Sequence, residues 1–331
     1  MTDATSQEGE QAALPLPPYG YMNELYMWDV DTRRVPDTFA VAGLPGTPAQ
    51  WRAFVERQVH DIAVFLWPRF DRPSQSWQGA STNIAMSLTV ADLDLIDKLR
   101  PLLLQTVRLD GESLKATHRS MFEDEDENKP GSVPYVTLDA YLHNLPTESV
   151  TLVRDTIKKR IGGFGPAPLR FKEHCQRPRP YQVAFMLGRP FRYELARSAV
   201  TPALPSGHCM QGIVGRSGAF MAHRLLLEGS VGALAGLQQY MIDYGDRRVM
   251  AGAHYPSDNL ASWFCSLRLC DHLFSEAGQI AKDFIWAAIT TRSAVFDAMG
   301  SHVRDDPRSP YAEPLRLLGL EAARPVPRTD S

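Results

Sequence analysis

The chain has 331 residues, 44% of them hydrophobic and 22% charged, an ordinary globular composition with ample apolar material for a sizeable core. Its formal net charge of -3 gives no general attraction to nucleic acid or anionic membranes, so neither is expected as a partner. The four cysteines, Cys175, Cys209, Cys265 and Cys270, contain no Cys-x2-Cys pair and read as buried free thiols.

In chain order, residues 1–45 read as a mostly irregular segment, polar and then Pro-rich. Met1 to Pro18 lacks the basic start and apolar run of a secretory signal, so a cytoplasmic location is expected. Thr47 and Pro48 open a helix with apolar Trp51, Phe54, Val55, Val59, Ile62 and Leu66, stopped by Pro68. Ala91 to Leu104 repeats the theme, and Pro101 should kink or end it. The acidic run Glu123 to Asn128 lacks EF-hand spacing and reads as a solvated loop. Thr147 to Ile161 is helical, with Lys158, Lys159 and Arg160 near its end and Gly162 and Gly163 beyond.

Four further helices are expected over Cys209 to Leu227, Val231 to Met250, Ser257 to Phe274 and Ala277 to Met299. No strand alternation or internal repeat competes with them. The expected fold is therefore all-α, a single helical-bundle domain over residues 46–305 with an irregular C-terminal tail over 306–331. No apolar run reaches the roughly 20 residues that cross a bilayer. The run from Met210 to Leu227, for instance, is broken by Arg216, His223 and Arg224.

Three stretches carry the chemistry: Lys172 to Pro180 (KEHCQRPRP), Pro205 to His208 (PSGH) and Arg248 to Asp258 (RVMAGAHYPSD). A tetrahedral oxyanion needs fixed positive charge, directed N–H donors, a nucleophile and an acid for the leaving group. Guanidinium forks match such an anion two oxygens at a time, and a lysine adds a compact charge, which suits Arg179, Arg248 and Lys172. Lys172 and Arg179 are seven residues apart, so one helix would project both from nearly the same side, with Pro178 and Pro180 limiting its run. Ser206 can cap the helix that follows it, leaving N–H groups facing the anion, and Gly207 allows close backbone approach. His208 then lies where a general acid is needed.

Arg248 and His254 are six apart and would diverge on an unbroken helix. Gly252 and Pro256 mark the end of one helix and the start of another, with His254 at the junction. Asp258, four residues on, can accept a hydrogen bond from one ring nitrogen of His254 and leave the other aimed at phosphorus.

The order Lys-x6-Arg-Pro, Pro-Ser-Gly-His, Arg-x5-His-x3-Asp resembles the type 2 phosphatidic acid phosphatase superfamily, which includes bacterial non-specific acid phosphatases and vanadium haloperoxidases. The motifs cover about a quarter of the chain, Lys172 to Asp258. The resemblance implies an all-helical domain and a metal-free phosphohistidine mechanism acting on a small phosphorylated substrate. By motif position, Lys172, Arg179, Ser206, Gly207 and Arg248 would bind the phosphoryl oxygens, His208 would be the acid, His254 the nucleophile and Asp258 its partner. The family's third motif usually begins Ser-Arg, whereas Arg247 precedes Arg248 here, either extending the positive field or facing solvent.

Two other readings use the same residues. A haloperoxidase would hold vanadate through His254 as its cofactor, and a non-catalytic module would only bind phosphate. The 40-residue interval from His208 to Arg248 is compact, like that of the acid phosphatases, and favours phosphoester hydrolysis with no cofactor and with vanadate as an inhibitor.

Overall fold

The computed structural model describes residues 69–71, 76–78, 82–105, 108–109, 112–113, 138–164, 168, 171–172, 177–192, 202–274 and 277–325. The segment 1–45, the helix expected from Thr47, the acidic run Glu123 to Asn128, His174 and Cys175 lie outside these residues. The described part is all-α apart from two short antiparallel ribbons. In one, β1 (Arg69–Asp71) pairs with β2 (Ser76–Gln78); in the other, β3 (Arg108–Leu109) pairs with β4 (Glu112–Ser113). Strands of two or three residues are too short to leave an alternating signature in a sequence.

The helices are α1 (Thr82–Gln105), α2 (Leu138–Tyr141), α3 (Thr147–Phe164) and α4 (Pro180–Met186) in the first half. They continue with α5 (Gly207–Ala222), α6 (Arg224–Glu228), α7 (Val231–Met250) and α8 (Pro256–Leu273). The last three are α9 (Gly278–Arg292), α10 (Ala294–Asp305) and α11 (Ala312–Ala323).

Helix α5 occupies the middle of the bundle, packed against α3, α7, α8 and α9. From Gly207 to Phe220 every residue except Gln211 is buried, as a centrally placed helix requires. Small residues let its neighbours come close. A Cβ at Gly212 would lie 3.0 Å from the Met241 carbonyl oxygen on α7, and one at Gly215 would lie 2.9 Å from Ile161 on α3. Helix α7 reaches onward to α1, α2 and α9, and α8 packs on α9 and α11. Stacked Phe220 and Phe284, with ring centroids 4.0 Å apart, tie α5 to α9.

Several boundaries differ from the sequence expectation, the first two because packing overrides local propensity. Helix α1 starts earlier than Ala91 and passes through Pro101 without ending. A mid-helix proline costs about 3 kcal/mol. Leu88, Leu95, Ile96 and Leu99 are all buried, at about 1.5–3 kcal/mol each, and outweigh it. Helix α3 runs past Gly162 and Gly163 to bury Phe164.

The stretch expected to be one helix from Cys209 divides at His223, whose φ of -124° and ψ of 32° leave the helical region. Its ring Nε2 lies 2.9 Å from Thr156 Oγ1 on α3. The expected helix Ala277 to Met299 is likewise two. Ser293 interrupts it, its hydroxyl accepting from the Phe296 amide at 3.0 Å to cap α10. The tail 306–331 is not wholly irregular, because α11 docks through buried Tyr311 and Leu318 and a 2.9 Å Arg268–Glu321 ion pair.

Among the described residues, no helix is long and apolar enough to cross a membrane.

Packing at two glycines sets a measurable contrast. A Cβ at Gly236 would overlap the Tyr141 carbonyl oxygen, whereas one at Gly319 meets nothing within 4 Å. Gly236→Ala should therefore cost at least the roughly 1–3 kcal/mol of an overpacked core. Gly319→Ala, inside α11, should be neutral or stabilising by roughly 0.5–1 kcal/mol. Urea unfolding of the two variants checks the difference.

A pH-dependent prediction concerns Asp246, fully buried on α7, where burial pushes its carboxyl up from 3.8 to about 7. It accepts from Ser293 Oγ at 2.8 Å, the Val295 amide at 3.2 Å and Asn259 Nδ2 at 3.2 Å. A raised carboxyl contributes stability below its unfolded value that is lost as pH rises through about 7. Asn259 Oδ1 has no hydrogen-bond partner, so a flipped Asn259 side chain can accept from an amide introduced in place of the Asp246 carboxyl. Asp246→Asn should thus unfold at higher urea than the parent at about pH 8, with a smaller gain at about pH 5. An equal difference at both pH values contradicts the ionisation.

Candidate active site

The three motif stretches converge where α4, α5 and α8 begin and α7 ends. Residue Arg179 is the N-cap of α4, with extended backbone (φ -72°, ψ 157°) and Pro180 in the first turn. Its amide donates to Gln182 Oε1 at 2.7 Å. The expectation that Lys172 and Arg179 share one helix face is therefore replaced. A non-helical entry, Arg177 to Arg179, separates them, because Pro178 and Pro180 disfavour helical backbone in the residue before each ring. Lys172 is buried and its Nζ donates to the carbonyls of Pro202 and Ala203, the latter at 3.4 Å.

Ser206 caps α5, its hydroxyl accepting from the Cys209 amide at 3.4 Å. The same residue is tied to α8: its amide donates to the Asp258 carbonyl at 3.3 Å, and Ser262 Oγ donates to its carbonyl at 2.9 Å. Gly207 faces Lys172 so closely that a Cβ would lie 3.5 Å from the lysine Cε and 3.3 Å from Pro168 Cβ. The first turn of α5 and the lysine are thus neighbours.

After Met250, α7 ends in a turn in which Gly252 takes φ +77°. A side chain there would also strike the Arg192 carbonyl oxygen, 2.9 Å from the Cβ position, so glycine is required twice over. The Arg248 carbonyl accepts from the amides of Ala253 and His254, at 3.0 and 3.1 Å, which folds the turn back on the helix end. His254 follows, two residues before Pro256 opens α8.

Partners fix the His254 tautomer. Arg179 Nη1 lies 2.8 Å from His254 Nε2, and a guanidinium can only donate, so Nε2 carries the lone pair. The proton is on Nδ1, which donates to Asp258 Oδ2 at 3.1 Å. Asp258 is itself held by the Tyr255 amide at 2.9 Å and by Arg177 Nη1 at 3.0 Å. By the same logic His208 Nε2 accepts from Arg248 Nη2. The His208 ring also packs on Tyr244, with centroids 5.6 Å apart.

All of these ionisable side chains are almost fully buried, His208 being the most exposed at 7%. Burial lowers the His254 pKa well below the ordinary imidazole value, and the positive charges of Arg179, Lys172 and Arg248 lower it further. Asp258 is raised by burial, an effect opposed by Arg177, the Tyr255 amide, Lys172 and Arg179.

Arg247 neither faces solvent nor enters the His254 cluster. It is buried where α7 meets α2: Nη2 donates to Asp243 Oδ2 at 3.2 Å and Tyr141 donates to the same oxygen at 2.7 Å. Two residues escaped the sequence reading, Arg177 and Asp92. Arg177 lies inside the first motif stretch, two residues before Arg179, and no local pattern marks it as a partner of Asp258. Asp92 sits in NIAMSLTVADLDLID, whose polar positions carry no spacing that points across 165 residues to Ser257. Among the described residues no group of three or more His, Cys, Asp or Glu side chains is placed to hold a metal ion.

Comparison with known proteins finds no matching family model, no matching curated protein and no matching solved structure.

The depressed His254 titration is directly measurable. In an NMR titration the ring should stay neutral, protonated at Nδ1 alone, at and below about pH 6.5, the ordinary imidazole value. A His254 ring that is half-protonated at or above that value contradicts the burial and the charges assigned around it.

Proposed function

We propose that the protein is a phosphatase that hydrolyses phosphomonoesters through a phosphohistidine on His254, as the motif resemblance to the type 2 phosphatidic acid phosphatase superfamily implies. The observation that carries this reading is the neutral His254 with its Nε2 lone pair facing positive groups. An imidazole so poised is a nucleophile that needs no deprotonation, and the surrounding cations favour an anionic electrophile.

In the proposed sequence, Arg179 and Arg248 exchange their imidazole contacts for phosphoryl oxygens, which are stronger acceptors because they are charged. Lys172 adds charge, and the first-turn amides of α5 point their positive dipole end at the same anion. His254 Nε2 then attacks phosphorus while the ester oxygen departs. Asp258 accepts the Nδ1 hydrogen bond throughout and offsets the positive charge developing on the ring.

His208, released from Arg248 and protonated, gives its proton to the leaving alcohol. Water next attacks the phosphohistidine, with His208 as base taking the proton back. Inorganic phosphate leaves and both rings return to their starting states. The positive groups stabilise charge spread over the equatorial oxygens in both steps.

Purified protein should hydrolyse p-nitrophenyl phosphate, and His254→Ala should abolish turnover. His208→Ala should lose about 10²–10⁴-fold with alkyl phosphates and much less with p-nitrophenyl phosphate, whose leaving group needs no proton. Unchanged rates in His254→Ala contradict the reading. So does an activity confined to halide oxidation by peroxide after vanadate is added, or tight phosphate binding with no turnover at all.

A further inference from the structure

Behind the His254–Asp258 pair lies a second, wholly buried layer. Arg177 Nη1 donates to Asp258 Oδ1 at 3.0 Å and to Ser257 Oγ at 2.7 Å. Its Nη2 donates to Asp92 Oδ2 at 3.0 Å and to Thr89 Oγ1 at 3.2 Å. The Tyr255 ring stacks under the guanidinium at 3.8 Å. One fork therefore spans two carboxylates, and Arg177, Asp92 and Asp258 are all without solvent exposure.

Asp92 is anchored in turn. Its Oδ1 accepts from the Ser257 amide at 3.1 Å and from the Tyr311 hydroxyl at 2.8 Å, and its Oδ2 accepts from Ser257 Oγ. A residue on α1 thereby caps the start of α8, the helix that carries Asp258. A continuous line of hydrogen bonds runs from Tyr311, just before α11, through Asp92 and Arg177 to Asp258 and His254.

We infer that Arg177, held by Asp92, is a positioning residue that keeps Asp258 ionised and oriented so that His254 presents a bare Nε2. This inference rests on the phosphatase reading for its kinetic consequence, though not for its effect on the His254 ring. Two carboxylates share the interior with one bridging guanidinium. Desolvation alone drives such groups toward the protonated form. With Arg177 gone, Asp258 loses a charge-assisted bond and the counter-charge beside it, and takes up a proton. It then no longer accepts from Nδ1 as an anion, so the Arg179 contact at Nε2 alone holds the Nδ1 tautomer and a population protonated on Nε2 can form.

A fork that merely cross-links α1 to α8 would affect folding without affecting the tautomer, which gives the test its discriminating power. In Arg177→Met, kcat should fall by about 10–100-fold, the usual cost of losing an orienting partner behind a reacting ligand, with KM near the parent value. Arg177→Lys should recover part of the loss.

Histidine-selective ¹⁵N spectra of the full chain, with the His254 signals assigned by their absence in His254→Gln, should show bare Nε2 in the parent. They should show protonated Nε2 appearing in Arg177→Met. If that variant does not fold, Asp92→Asn, which keeps the shape and removes the anchor, should lower kcat by about tenfold and shift the same signals. A folded variant of either kind with parental kcat and parental His254 signals overturns the inference. If the parent hydrolyses no phosphoester, the phosphatase reading fails, and the ¹⁵N spectra alone decide the role of Arg177.

Discussion

The carboxylate of Asp258 is the point on which the site depends. One oxygen takes Arg177, and the other takes both the Tyr255 amide and His254 Nδ1, all within 3.1 Å and with no exposure to water. Because Asp258 lies in the first turn of α8, the dipole of that helix favours its negative charge. Because its own carbonyl accepts from the Ser206 amide, the same turn also fixes the start of α5. His254 and the start of α5 are thus referenced to one residue. Their relative position is set by short hydrogen bonds rather than by loop packing.

The electrostatic consequence is a division of labour between two layers. In the outer layer Arg179 lies against His254 Nε2, and burial together with the charges of Arg179, Lys172 and Arg248 holds the ring neutral. In the inner layer Arg177 opposes the burial that would neutralise Asp258 and Asp92. Each layer alone would be costly, since buried charge without a counter-charge is strongly disfavoured. Together they leave an unprotonated ring nitrogen beside a positive field, as the proposed attack on a phosphoryl group requires.

Much of this was legible in the sequence, and the failures have physical reasons. The helical period located α7 to the residue and α8 to within one at each end. Gly252 and Pro256 announced the junction at His254, since a positive φ and a fixed φ have few other uses there. Splits at His223 and Ser293 were missed because apolar periodicity continues across both. What breaks the helices is a cap and a long-range hydrogen bond. Helix α11 was missed because its anchors, Tyr311 and the Arg268–Glu321 pair, are tertiary. Arg177 and Asp92 were invisible for the same reason: their shared partners lie 80 or more residues away, and no local pattern encodes such a contact.

The most direct measurement is a rapid alkaline quench of the protein with ³²P-labelled phosphomonoester, followed by mapping of the protein-bound label. Acid-labile, base-stable label on His254, formed and lost at rates compatible with turnover, is the predicted result. Turnover with no label on the protein, or label on any other residue, would contradict nucleophilic attack by His254.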